Sequence, residues 1–338
     1  MNTIGKEYIE PKEEYYAGKI ADRFIQTLAK YYRSEKVKRM FHPKMHALLK
    51  AEFIVEASLP PHLKEGIFAE GKTYDAWVRF SNAKRKATKD KKKDLRGMAL
   101  KLVGVEGKKL LEKEKDANTQ DFLLVTSKTL QTASVKDFQR SIEALLGGFI
   151  KLFFYAITHP AVIVRSIKMI SKCSNLLETS FYSMSPYKYG EGKAVKYAAF
   201  PQKKTTSSFP KDPSDDFLKE RLISDLEEQE YSFDFMVQFQ TDAQKMPIEN
   251  PTVKWTSPFE KVATIKIKKQ VFNSKAQESY GENLSFTPWH CIEAHRPLGG
   301  ANRARKTVYE AIARFRRGQN HVENLAEPKS MVSFNEVN

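Results

Sequence analysis

Two short constellations near opposite ends of the chain hold the residue types best suited to chemistry. They are Arg39-Met-Phe-His42 and Arg305-Lys-Thr-Val-Tyr309, the second followed by Arg316. A tyrosine is a poor iron ligand while it keeps its proton, and its unperturbed pKa is about 10. Arg305 stands one helical turn before Tyr309, hence on the same face, where a guanidinium favours the ionised phenol by direct charge attraction. A neutral histidine can take a proton from a bound peroxide and return it to the departing oxygen, which makes His42 the candidate acid–base group. The two constellations therefore suit the two faces of a haem held by an anionic tyrosinate. Each also has a plainer reading. A histidine at a strand entrance is often structural, and fourteen tyrosines in a basic chain make an accidental Arg-x-x-x-Tyr easy to find.

Order along the chain separates these readings. In sequence come Arg39-x-x-His42-x-Lys44, Val78-Arg79-Phe80-Ser81, Asp94-Leu-Arg96-Gly97-Met-Ala-Leu-Lys101, Thr119-Gln-Asp121-Phe122-Leu-Leu-Val125, Ser285-Phe-Thr-Pro288, and Arg305-x-x-x-Tyr309 with Arg316. The series resembles the haem catalase superfamily. His42-Pro-Lys-x-His46, Ser285-Phe-x-Pro-Trp-His290 and His295-Arg-Pro-Leu-Gly-Gly300 bring it closer to the small catalase-related haem peroxidases, which lack a C-terminal flavodoxin-like domain.

The resemblance implies haem b with Tyr309 as its iron ligand, the place tyrosine takes in catalase, and Arg305 beside that ligand. Arg39, Arg79 and Arg316 would hold the propionates. His42 would be the distal acid–base catalyst, with Ser81 bonded to its imidazole and fixing the tautomer. His46 is the rival to His42, but only His42 carries arginine three positions before it and lysine two after. After the fourth segment, catalases continue with an asparagine pair, Thr-Pro and two phenylalanines. Here the run is Val125-Thr126-Ser127-Lys128-Thr129-Leu130-Gln131, so Thr126 or Ser127 is the expected hydrogen-bond donor. The implied activity is a haem-dependent peroxidase that reduces hydrogen peroxide or organic hydroperoxides with a small-molecule reductant. The alternatives are a fatty-acid hydroperoxide isomerase or lyase, a weak true catalase, and a haem-binding interaction protein without turnover. Allene oxide synthases place a threonine where this chain has Phe41, which weighs against the isomerase.

These residues need a scaffold to bring them together. The chain has 338 residues, 41% of them hydrophobic, enough for one large core or two modest ones. Cys173 and Cys291 give no disulfide framework and no metal-ligand spacing. Without a charged segment leading into an apolar run at the start, or an apolar run of about 20 residues anywhere, the expected location is the cytoplasm. The formal charge is +16, and much of the excess is concentrated between Lys84 and Lys93. No aromatic residue interrupts that run as nucleic-acid stacking would require, so it reads as a solvated loop and no nucleic-acid partner is expected. A homo-oligomer is compatible with the sequence.

The expected fold is α+β, a catalase-like antiparallel β-barrel core with added helices. Residues 1–38 form a helical arm or a helix packed on the core, with Ile20, Phe24, Leu28 and Tyr31 at helical spacing. Residues 39–320 form the haem domain, and 321–338 a polar tail, extended or loose, that leaves no room for a flavodoxin-like domain. Branched and aromatic residues predict strands over 48–55, 74–80, 98–103 and 122–125 in an antiparallel meander. Further strands are expected over 195–200, 231–240 and 262–268. Between these halves, 138–170 reads as two apolar helices parted at Pro160. Phe149, Leu152, Phe153 and Ala156 make a stripe with Lys151, Arg165 and Lys168 at its margins. Such a stripe is either core-facing or a peripheral lipid contact through 145–170. A closing helix over 307–317 places Tyr309, Ala313 and Arg316 on one face.

Overall fold

Period-two alternation builds the barrel wall. In β1 (Lys44–Val55) the residues Leu49, Ala51, Phe53 and Val55 enter the main core, while Leu48 faces outward into a second cluster around Trp77. The computed structural model describes residues 3–203, 207–322 and 327–334. Within them the other strands are β2 (Thr73–Asn82), β3 (Arg96–Val103), β4 (Thr119–Val125), β5 (Phe181–Tyr182), β6 (Tyr187–Lys188), β7 (Ala194–Pro201), β8 (Tyr231–Phe239) and β9 (Phe259–Ile267). Their order is β5-β4-β3-β2-β1-β9-β8-β7-β6, and β5 also pairs with β7, which closes all but β6 into an eight-stranded barrel. Every pairing is antiparallel. A barrel of this size is filled by side chains. Phe53, Phe122, Tyr197 and Phe235 supply much of that filling through ring contacts with centroids 4.9–6.2 Å apart.

Seven helices surround the wall: α1 (Glu13–Tyr31), α2 (Val135–Leu146), α3 (Phe149–Thr158), α4 (Pro160–Met169), α5 (Phe217–Glu228), α6 (Lys275–Asn283) and α7 (Gly300–Asn320). Ile20, Phe24 and Leu28 of α1 pack with Val135 of α2 and with Ala304 and Val308 of α7, so the N-terminal helix is part of the body and not a free arm. Arg303 of α7 fixes this arrangement. Its guanidinium pairs with Glu13 of α1 at 2.6 Å and with Glu249 at 2.8 Å, and also with Glu7.

Two expectations are corrected here. Residues 138–170 hold three helices instead of two, because Gly148 adopts φ 95° and ends α2 before α3 begins; glycine takes that backbone without a Cβ penalty. The tail is not loose where it is described. Met331, Val332 and Phe334 pack on the outer cluster of Leu48 and Trp77, and Glu327 pairs with the buried Lys101 at 2.6 Å. The rest of the expected tail, 323–326 and 335–338, lies outside the described residues.

Candidate active site

A cavity of about 890 Å³ lies between the barrel wall and the helices, near the upper end of the roughly 300–1,000 Å³ usual for ligand pockets. The segment before β1 gives it Arg39 and His42, β2 gives Arg79 and Ser81, and α7 gives Arg305, Tyr309 and Arg316. Residues 305, 309 and 316 share one helix face because their steps of four and seven are close to whole turns.

His42 is held from three sides. Its Nδ1 lies 2.9 Å from Ser81 Oγ, its carbonyl accepts from Arg79 Nη2 at 3.1 Å, and its backbone has φ 60°. A non-glycine residue in the left-handed region costs energy, and such positions cluster at functional sites. Gly97 of β3 completes the cradle. A Cβ there would stand 2.5 Å from His42 Cε1 and 2.6 Å from Nδ1, so any larger residue displaces the ring. Burial, reinforced by the positive charges of Arg79, Arg39 and Arg305, pushes the His42 pKa down to about 3, and the imidazole is neutral at ordinary pH.

Three guanidiniums gather beside it around one residue, Glu282. Arg39 and Arg79 lie 3.6 and 3.5 Å from Glu282, while Arg316 donates to the Glu282 carbonyl at 2.9 Å. Burial and the neighbouring Arg39 lower the pKa of both Arg79 and Arg316. Among the described residues, the Nε of Arg79 and the Nη1 of Arg85, both in the cavity lining, are buried without a hydrogen-bond partner. Such groups are costly unless a further acceptor reaches them, so the chemistry of this donor set is that of an anion site.

Other sequence expectations are corrected. His46 is away from the cavity: it is the extra residue of a β-bulge between Met45 and Ala47, and its Nε2 donates to Asn82 Oδ1 at 2.7 Å in a buried network with Asp90 and Arg96. Thr126 and Ser127 do not line the cavity either. Thr126 Oγ1 accepts from the Arg96 amide at 3.1 Å, and Ser127 Oγ donates to the Thr129 carbonyl at 2.8 Å. Gln131 and Asn283 bring carboxamides to the cavity wall instead. Arg305 donates to Asn302 Oδ1 at 3.0 Å and to Ser185 Oγ at 3.2 Å, with no hydrogen bond to Tyr309 among the described residues. Lys84, Arg85 and Lys86, read as part of a solvated loop, line the cavity. Sequence reasoning missed Gly97 and Glu282. The only available signal for the first was its place in the Arg96-Gly97 segment; nothing local marks the second.

No protein-family model matches this chain, and no curated protein matches its sequence. Solved structures do match its fold. A fungal catalase superposes with a TM-score of 0.70 at 17% identity over 90% of this chain and 64% of its own. A bacterial catalase gives 0.66 at 16% identity over 92% and 64%. Catalase A from Saccharomyces cerevisiae gives 0.67 at 16% identity over 97% and 70%. The fold is therefore catalase-like, and the chain spans 64% of the length of the first two of these proteins.

Proposed function

We propose that the cavity binds haem b and that the chain is a haem-dependent peroxidase acting on organic hydroperoxides. The observation that carries this reading is the convergence of His42 and Tyr309, from opposite ends of the sequence, on one cavity whose lining includes the guanidiniums of Arg39, Arg79, Arg305 and Arg316. The residues fit the group: Tyr309 offers a phenolic oxygen to iron, and Arg39, Arg79 and Arg316 match two propionates through charge-assisted hydrogen bonds. Bound haem would supply the redox-active iron that accepts oxidising equivalents from a hydroperoxide. The protein supplies proton handling. With Nδ1–H donating to Ser81 Oγ, the neutral imidazole keeps its lone pair on Nε2, which takes the hydroperoxide proton and returns it to the departing oxygen.

The wall favours a bulky substrate. Leu123, Val125, Leu130, Met169 and Ile170 make it apolar, and Lys84 and Arg85 add positive charge, a combination suited to an anionic amphiphile such as a fatty-acid hydroperoxide. The test is reconstitution with haemin. Wild type should give a Soret band with a high-spin ferric spectrum, and Tyr309→Phe should lose haem or change that spectrum; an unchanged spectrum would remove Tyr309 as ligand. With the loaded enzyme, kcat/KM should be higher for a fatty-acid hydroperoxide plus an electron donor than for hydrogen peroxide. Rapid oxygen evolution from hydrogen peroxide without turnover of the organic substrate would make the protein a true catalase. Rearrangement of the fatty-acid hydroperoxide without donor consumption would make it an isomerase.

A further inference from the structure

Helices α3 and α4 meet at a 106° bend across His159-Pro160, and no single helix is long and apolar enough to cross a membrane. Proline at the first position of α4 starts a new helix and cannot continue the old one. What α3 exposes is unusual for a surface helix. Phe149 is 81% exposed, Ile150 71%, Phe154 62% and Ile157 61%, while Tyr155 is its one buried residue. Phe149 stacks on Phe153, and Phe153 meets Phe154 edge-on, so the rings form one continuous patch. On α4, Ile167 is 61% exposed. Soluble surfaces scatter such residues singly, and a contiguous group marks an interaction face. No described residue covers it.

Charge identifies the occupant. From position 144 to 177 the chain contains no Asp or Glu, while Lys151, Lys168 and Lys172 are exposed along the same stretch. Protein interfaces deplete lysine; an apolar face whose own stretch carries only cations matches an anionic membrane surface, where aromatic and aliphatic groups enter the headgroup boundary and lysines meet the phosphates. We infer that the α3–α4 elbow is a membrane-docking element that seats the protein on bilayers containing anionic phospholipid. The elbow also shares a wall with the cavity. Ser166, Met169 and Ile170, at the end of α4 and just beyond it, line the cavity, and Ile167 and Lys168 are exposed. Docking therefore brings the lipid surface within one helix thickness of the candidate site, whatever that site's chemistry.

The experiment uses the full chain and co-sedimentation with phosphatidylcholine vesicles, with and without phosphatidylglycerol. Wild type should pellet with the anionic vesicles, and the variant F149S/F153S/F154S should bind at least tenfold more weakly with unchanged circular dichroism, since these side chains are outside the core. The variant K151E/K168E/K172E should lose the preference for anionic vesicles. Phe154→Trp should give an added emission component that shifts to the blue on vesicle addition. Equal pelleting of wild type and the serine variant, or no blue shift, overturns the inference. So does a wild-type dimer that becomes a monomer in the serine variant while neither binds vesicles, which would make the face a contact between two copies of this chain.

Discussion

At the residue scale, His42 and His46 differ by one bulge. Replacing His42 by alanine should leave haem uptake intact and slow hydroperoxide consumption at least about 100-fold, the usual effect of losing a positioned acid–base group. The same loss in His46→Gln, with His42→Ala unaffected, would reverse the assignment. Gly97→Ala should reproduce part of the defect, about 10- to 100-fold, by moving the imidazole out of register. Its Soret band should be retained, and His42→Ala in the same background should add little. The buried histidines also predict an acid response. Burial lowers His46 to about 4 and His295 to about 3, below the unfolded value of about 6.5. His295 Nε2 accepts from the Ile67 amide at 3.1 Å, so Nδ1 carries the proton. Each folded-state pKa is depressed, so the unfolded chain binds protons first as pH falls from about 6.5. The stability tied to keeping these rings neutral is present above that pH and is lost between it and pH 3–4. In His46→Gln, denaturant titrations across that window should show a slope shallower by about 1.4 kcal/mol per pH unit. An unchanged slope would mean that His46 is charged in the folded protein.

At the element scale, α7 sets the position of Tyr309, and α1 sets the position of α7. Arg303 has three carboxylate partners and little exposure. Its removal strips Glu13 of the guanidinium that pairs it, while Glu7 keeps Arg296 and Glu249 keeps the Gly300 amide, and Arg303→Ala should cost about 3 kcal/mol. The same variant should release haem faster, because Ala304, Val308 and Ile312 of the loosened helix are cavity wall. Stability loss with unchanged haem release would separate the two helices' roles. Much at this scale was legible from sequence: branched and aromatic residues located β1 to β4 and β7 to β9, and the spacing of Arg305, Tyr309 and Arg316 foretold their common face. The β-bulge was not legible, because an extra residue in a strand leaves no mark on composition. Nor were the break at Gly147-Gly148, hidden inside one apolar run, or the docking of Phe334, which depends on the distant Trp77. Arg305 was legible as a neighbour of Tyr309, but its hydrogen bond to Ser185 depends on a segment 120 positions away.

At the scale of the whole molecule, the barrel consists of two meanders, β2 to β5 beside β1 and β7 and β8 beside β9, stitched along the β1–β9 pairing and closed by the two-residue stave β5. So short a stave has few ladder bonds, and local opening follows the weakest pairing. Amides of Phe181 and Tyr182 should exchange hydrogen sooner than those of β2, which pairs along its length on both sides. Protection at 181 and 182 equal to that of β2 would show that the barrel opens only as a unit.

The placement of His42 and Tyr309 also orders events in time. As the chain leaves the ribosome, the first meander appears with β1 still lacking the partner that β9 will provide, and the helix bearing Tyr309 follows every strand of the barrel. A product that stops before α7 cannot hold both faces of the cavity. The cavity is thereby assembled only once α7 is made, and until β9 emerges the nascent chain presents an apolar half-barrel edge that calls for a chaperone.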